Sequence, residues 1–183
     1  MVGTRIACPL STSSEAKFEA VVLRHLDAAY NLARWLLNND QDAEDVVQDA
    51  AIRALESLHT HRGTNGRPWF LAIVRNTSLN RIRQRSSNRT VELEMDDLFA
   101  DPRAASPHEL VVRAWQSEEV VAALTNLPVA FREVVILREL EDMSYKEIAE
   151  VTEVPIGTVM SRLARARERL QFTLAASDAV EAK

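Results

Sequence analysis

The chain has 183 residues, of which 46% are hydrophobic and 5% aromatic, with four glycines. That composition suits one helical domain or two small ones, and it argues against a turn-rich β protein or a disordered chain. The net charge of −5 speaks against a nucleic-acid partner only as an average, because the charges are segregated along the chain.

The single cysteine, Cys8, excludes an internal disulfide framework, and His25, His59, His61 and His108 show no metal-ligand spacing with it. No run of about 18 apolar residues is present, so no membrane insertion is expected. Met1 to Ser14 lacks the apolar core of a signal peptide, which points to the cytoplasm.

Residues 1–13 are expected to be disordered. A helix then begins near Ser14 and runs toward Leu37, with Phe18, Val22, Ala29, Ala33 and Leu36 as core positions, until Asn38-Asn39-Asp40 breaks it. The next helix opens at Asp40 or Asp42, whose carboxylates suit a helix N-terminus. It buries Ala43, Val46, Val47, Ala50, Ala54 and Leu58 and turns Asp45, Gln48, Asp49 and Arg53 outward. Asp40, Asp42 and Glu44 alternate like the start of a calcium loop. Such a loop needs glycine and glutamate where Asp45 and Ala51 stand, so no metal is predicted. A magnesium nuclease built on these acids is disfavoured as well, because no histidine or lysine is arranged beside them as a base.

Residues 62–89 hold seven arginines and no acid, a local charge of +7 whose reach is limited to about 8 Å at physiological salt. The block opens as a flexible basic loop, Arg62 to Pro68, and continues as a helix from Trp69-Phe70. Aromatics beside arginines and asparagines suit unpaired bases, since rings and guanidinium planes stack while amides bond base edges. The alternative, favoured for one aromatic pair at a helix start, is that Trp69 and Phe70 are core. On either view the arginines remain available for phosphate.

From Ser86 to about His108 the chain is acidic, carries Pro102 and Pro107, and lacks periodicity, which reads as a flexible linker over residues 87–111. Its roughly 23 residues span at most about 75 Å, some two turns of duplex DNA at about 34 Å each. An ordinary solvated loop is the alternative.

Past the linker, Leu127-Pro128 places proline at the first position of a helix that carries Phe131, Val134, Val135 and Leu137. Ser144-Tyr145-Lys146-Glu147 is a capping box that opens another helix with Ile148, Ala149 and Val151 on its inner face. Thr152 to Pro155 breaks that helix before a third, in which Val159, Leu163, Ala166 and Leu170 form a buried stripe. Ser161, Ala164 and Arg165 point outward, with Arg162, Arg167 and Arg169 at the flanks, and no acid occurs from Val154 through Arg167. These helices form a helix-turn-helix whose last helix is the reader. The expected fold class is all-α, with two small helical domains joined by an acidic linker. The motif alone does not separate a stand-alone regulator from an initiation factor.

Two separated segments then resemble the extracytoplasmic-function sigma factors of bacterial RNA polymerase, in the sigma-70 superfamily. Asp42-Ala43-Glu44-Asp45-Val46-Val47-Gln48-Asp49 and Trp69-Phe70-Leu71-Ala72-Ile73-Val74-Arg75-Asn76 are similar to that family's polymerase-binding and promoter-melting region. Leu127 to Arg138, Ser144 to Glu150 and Gly157 to Arg167 are similar to its second DNA-reading domain. The resemblance implies region 2 over 14–86, region 4 over 112–174 and a disordered tail over 175–183.

It implies further that Asp45, Gln48 and Asp49 dock on the clamp helices of core polymerase, with the beta flap as a second polymerase contact. Arg62, Asn65, Arg67, Trp69, Asn76, Asn80 and Arg83 would serve the melted minus-ten element, where a flipped base repays its unstacking. Met160, Ser161, Ala164 and Arg165 would face the minus-thirty-five element, with Thr158, Arg162 and Arg167 nearer phosphates. Promoter DNA and an anti-sigma factor are the implied partners, with no cofactor and no enzymatic activity, and a stress response is the implied setting. Met160 stands where relatives often carry a basic residue, and Glu153 where they often carry glycine.

Overall fold

The computed structural model describes residues 12–63, 65–88 and 118–181. The predicted N-terminal segment before Thr12 and the predicted linker beyond Asn88 lie outside them, as do Cys8 and His108. Every regular element among the described residues is helical.

The expected single helix from Ser14 to Leu37 is instead α1 (Thr12–Val21), a short 3-10 turn (Leu23–His25) and α2 (Leu26–Leu37). Neither glycine nor proline marks the break. Tertiary packing makes it: Lys17 donates to the carbonyls of Leu58 and His61 at 2.9 and 2.7 Å, which pins α1 over the loop that follows the next helix. Val21 meets Gly66 so closely that a Cβ there would lie 2.9 Å from the Val21 Cα, so only glycine fits.

In α2, Ala29, Leu32, Ala33 and Leu36 repeat at helical spacing and are buried, the alanines letting the neighbouring helices approach. Asn38 ends the helix at φ 51°, where asparagine is among the few side chains tolerated, and its N–H reaches the Arg34 carbonyl at 2.8 Å. Asn39 then caps α3 (Asp40–Ser57) by accepting from the Asp42 N–H at 2.9 Å. Across the bundle lies α4 (Gly66–Asn88), which buries Phe70, Leu71 and Val74. Thr77 and Ser78, also buried, satisfy their hydroxyls on the carbonyls one turn back. α4 begins three residues before the expected Trp69, taking up the end of the predicted loop.

The second half opens with α5 (Glu118–Thr125), which the sequence reading missed. Pro128 is the N-cap of α6 (Val129–Val135) rather than its first helical residue, and α6 widens into a π-type turn over Ile136–Leu140. The predicted capping box is present on α7 (Tyr145–Thr152), with Ser144 and Glu147 bonded reciprocally. Glu153 takes φ 56° in the turn before α8 (Ile156–Glu181). That conformation costs an ordinary side chain roughly 1 kcal/mol or more. α8 continues to Glu181, past Ala175 where the disordered tail was expected to begin.

The two halves pack on each other, α4 against α7 and α2 against α6. One buried cluster runs from Val21 and Trp35 through Leu137 and Ile148 to Leu163. Arg132, 1% exposed, donates to the carbonyls of Thr125 and Leu127 in its own half and Trp35 in the other.

Candidate nucleic-acid and polymerase interfaces

Three surfaces carry the predicted site residues. On α3, Gln48 and Asp49 are exposed and Asp45 half-exposed, with Arg81 3.4 Å from the Asp45 carboxylate. Asp42, one turn earlier, is buried and neutralised by Arg81 at 3.0 Å and by Arg85. The same helix face exposes Ile52 and Leu55, 58% and 36% accessible. These two apolar residues were not singled out, although their places four and seven residues after Gln48 on a polar face were a signal for docking.

The second surface is the loop before α4 together with one side of that helix. Asn76, Asn80 and Arg83 are exposed and lie along it at i, i+4 and i+7, with Arg83 donating to Asn80 at 2.8 Å. Arg62 is exposed in the loop and has no partner among the described residues. Trp69 is half-buried and meets the His61 ring at 4.9 Å between centroids, tilted by 34°, while Phe70 is wholly buried. Of the aromatic pair, one is therefore core and the other keeps an accessible edge.

The expectation that the arginines of 62–89 stand free for phosphate is corrected for Arg67, Arg75, Arg81 and Arg85. Arg67 binds Glu141 at 2.6 Å, Arg75 binds Glu133 at 2.6 Å, and Arg81 and Arg85 hold Asp42. Asn65 donates to Glu147 at 2.9 Å and Asn76 approaches Glu153 at 3.4 Å. The acidic partners of Asn65, Arg67, Arg75 and Asn76 all come from the second half. Counting residues along the sequence could not find them, since the segment charges say nothing of which acids fold over which bases.

The third surface is α8. Val159, Leu163 and Ala166 are buried and Leu170 half-buried, which turns Met160, Ser161, Ala164 and Arg165 outward. Arg165 has no partner among the described residues. Thr158 is half-buried, and its carbonyl accepts from the Ser161 hydroxyl at 3.0 Å. Arg162 reaches Glu133 at 3.1 Å, so this carboxylate, 1% exposed, joins α8 to α4 through two arginines. Arg167 pairs with Glu139 at 2.6 Å, which raises its pKa. Arg169 lies over the Phe131 ring at 4.8 Å.

Glu147 sits between α7 and the second surface. The Ser144 N–H and hydroxyl lower its pKa most, with Asn65 and Arg67 adding to the effect. Among the described residues no group of three or more histidine, cysteine, aspartate or glutamate side chains is placed to hold a metal ion.

The order of these surfaces is that of two family models, Sigma-70 region 2 over residues 21–88 and Sigma-70, region 4 over residues 117–170. The sigma-H factor of Pseudomonas aeruginosa is 32% identical over 165 residues, 86% of this chain and 86% of that one. The chain belongs to the extracytoplasmic-function sigma factors of the sigma-70 family. These are alternative sigma factors, which act with RNA polymerase in transcription initiation.

Another relative, the sigma factor SigE of Mycolicibacterium smegmatis, is 32% identical over 158 residues, 86% of this chain but 62% of its own length. Among solved structures, the sigma factor RpoE in complex with the anti-sigma factor NepR, from Bartonella quintana, matches 86% of this chain and 96% of its own with a TM-score of 0.66 at 29% identity. The region 2 match ends with α4, and the region 4 match begins one residue before α5.

Proposed function

We propose that this sigma factor binds core RNA polymerase, reads a bipartite promoter with region 4 on the minus-thirty-five element and region 2 on the minus-ten element, and helps to melt the latter, with no covalent chemistry of its own. The observation that carries the reading is the pairing, on one chain, of an exposed outward face on α8 with a separate amide and arginine row on α4. Asp45, Gln48 and Asp49, with Ile52 and Leu55 beside them, fit the beta-prime clamp, and the beta flap is assigned to region 4. Met160 offers no charged group to a base edge, so the promoter sequence of a basic-residue relative does not transfer.

An anti-sigma factor is the proposed negative partner, supported by the likeness to a sigma factor solved with one. The cytoplasm is the proposed location; among the described residues no helix is long and apolar enough to cross a membrane.

Full-length protein added to core polymerase should give promoter-dependent transcription from a genomic template, and an Asp49→Arg variant should lose core binding. A stand-alone helix-turn-helix regulator would bind duplex DNA yet leave the polymerase untouched. Arg165→Ala should weaken minus-thirty-five binding by roughly 1–3 kcal/mol and relax base preference there. A loss that is equal for every duplex sequence would make Arg165 a phosphate contact instead.

A further inference from the structure

Helix α1 grips the loop before α4 at both of its ends. Where the loop leaves α3, the Lys17 ammonium donates to the carbonyls of Leu58 and His61 at 2.9 and 2.7 Å. Where it enters α4, Val21 abuts Gly66. α3 carries no basic residue in its own last turn, so the cation that its C-terminal carbonyls favour comes from α1 instead. Each bond has a charged donor and so outweighs a neutral one.

Holding the His61 carbonyl also places a ring. The His61 side chain is buried against Trp69 at 4.9 Å between centroids, and among the described residues its Nε2 has no hydrogen-bond partner. Gly63 lies over the same ring, where a Cβ would stand 3.2 Å from the His61 Cε1. The ring is therefore set by packing and by the backbone that Lys17 holds. Three residues assigned above to minus-ten DNA depend on this arrangement: Arg62 directly follows His61, Asn65 directly precedes Gly66, and Trp69 packs on the His61 ring.

We propose that Lys17 is a positioning residue for the minus-ten element, touching no base itself but setting the loop and the Trp69 ring as a flipped base requires. The role rests on the assignment of Arg62, Asn65 and Trp69 to that element. It extends the site into a helix that precedes the residues matched by the region 2 family. A recognition site loosened by about 1 Å is present but no longer selective.

The test uses the full chain with core polymerase and sheared genomic DNA as template, and the transcript 5′ ends are sequenced. Aligned start sites give the base preference at each element, so the minus-thirty-five preference serves as an internal control in the same reaction. Lys17→Met keeps the length of the side chain and removes both bonds. Its ratio of favoured to other bases at the most selective minus-ten position should fall about fivefold or more, with the minus-thirty-five preference unchanged. Lys17→Arg, which keeps the charge and has donors for both carbonyls, should restore that ratio.

An unchanged minus-ten preference in Lys17→Met overturns the assignment. So does an equal loss at both elements, which would make Lys17 a support of the fold alone. Fewer transcripts with both preferences intact would overturn it too, because Lys17 would then be a phosphate contact. Should Lys17→Met fail to fold, Lys17→Gln keeps one donor group and goes through the same comparison, with a smaller loss expected. A wild type that initiates nowhere overturns the proposed function and this role with it, whereas starts with identical preferences in wild type and variant overturn the role of Lys17 alone.

Discussion

Arg132 carries a charge into the centre of the molecule and spends its hydrogen bonds on carbonyls rather than on an acid. Burial pushes its pKa down to about 10, which still leaves it charged at neutral pH. Its bonds to the Trp35, Thr125 and Leu127 carbonyls make it a clamp on the turn between α5 and α6 and on the end of α2. Arg132→Met keeps much of the volume but strands three acceptors, and at about 1 kcal/mol or more for each it should cost roughly 3 kcal/mol in urea unfolding. A loss below about 1 kcal/mol would mean that water reaches those carbonyls. Nothing in the sequence distinguished this arginine from those on the surface. It lies at an apolar-flanked position, Phe131-Arg132-Glu133-Val134, and the adjacent Glu133 is buried with it. A buried charged pair of neighbours serving different partners leaves no periodic trace.

The helix-turn-helix was the most legible element because its signals are local. A capping box needs only two residues three apart, and Ser144 and Glu147 form it as the spacing requires. The stripe Val159, Leu163, Ala166 is likewise a property of one helix, and all three are buried. The break between α1 and α2 was illegible for the opposite reason. It is imposed by Lys17 and Val21 meeting the loop around His61 and Gly66, some forty residues on. Glu147 also makes α7 sensitive to acid. Its folded pKa lies below the ordinary 4.5, held there chiefly by the Ser144 N–H. A depressed carboxylate pKa contributes stability above the unfolded value and loses it as pH falls through the folded one. The amides of the first turn of α7 should therefore exchange with solvent faster as pH drops below about 4.5, after correction for intrinsic rates. In Glu147→Gln that dependence should vanish. Equal acid sensitivity in the two proteins would place its origin elsewhere.

Two helical halves in the right order could be read from the sequence, but their mutual packing could not, because it is made by acids and arginines that the chain distributes without pattern. The consequence is a single folding unit. The buried cluster is continuous from α2 to α8, and Arg132, Glu133 and Glu141 bridge the halves at its edge. Elements that share a core and buried polar bridges unfold together, so in a Trp115→Phe background the fluorescence of Trp35 and Trp69, both in region 2, should follow the same urea transition as the helical ellipticity of the whole chain. Glu133→Gln tests the source of that cooperativity. It removes the carboxylate shared by Arg75 and Arg162 and leaves two cations facing a neutral amide in a dry contact, at a cost of about 3 kcal/mol that falls on the contact between halves. Region 4, the smaller unit and the one that holds the amide, should then melt at lower urea than region 2, separating the ellipticity curve from the fluorescence curve. If both probes still move together, the apolar cluster alone couples the halves, and Glu133 only sets their register.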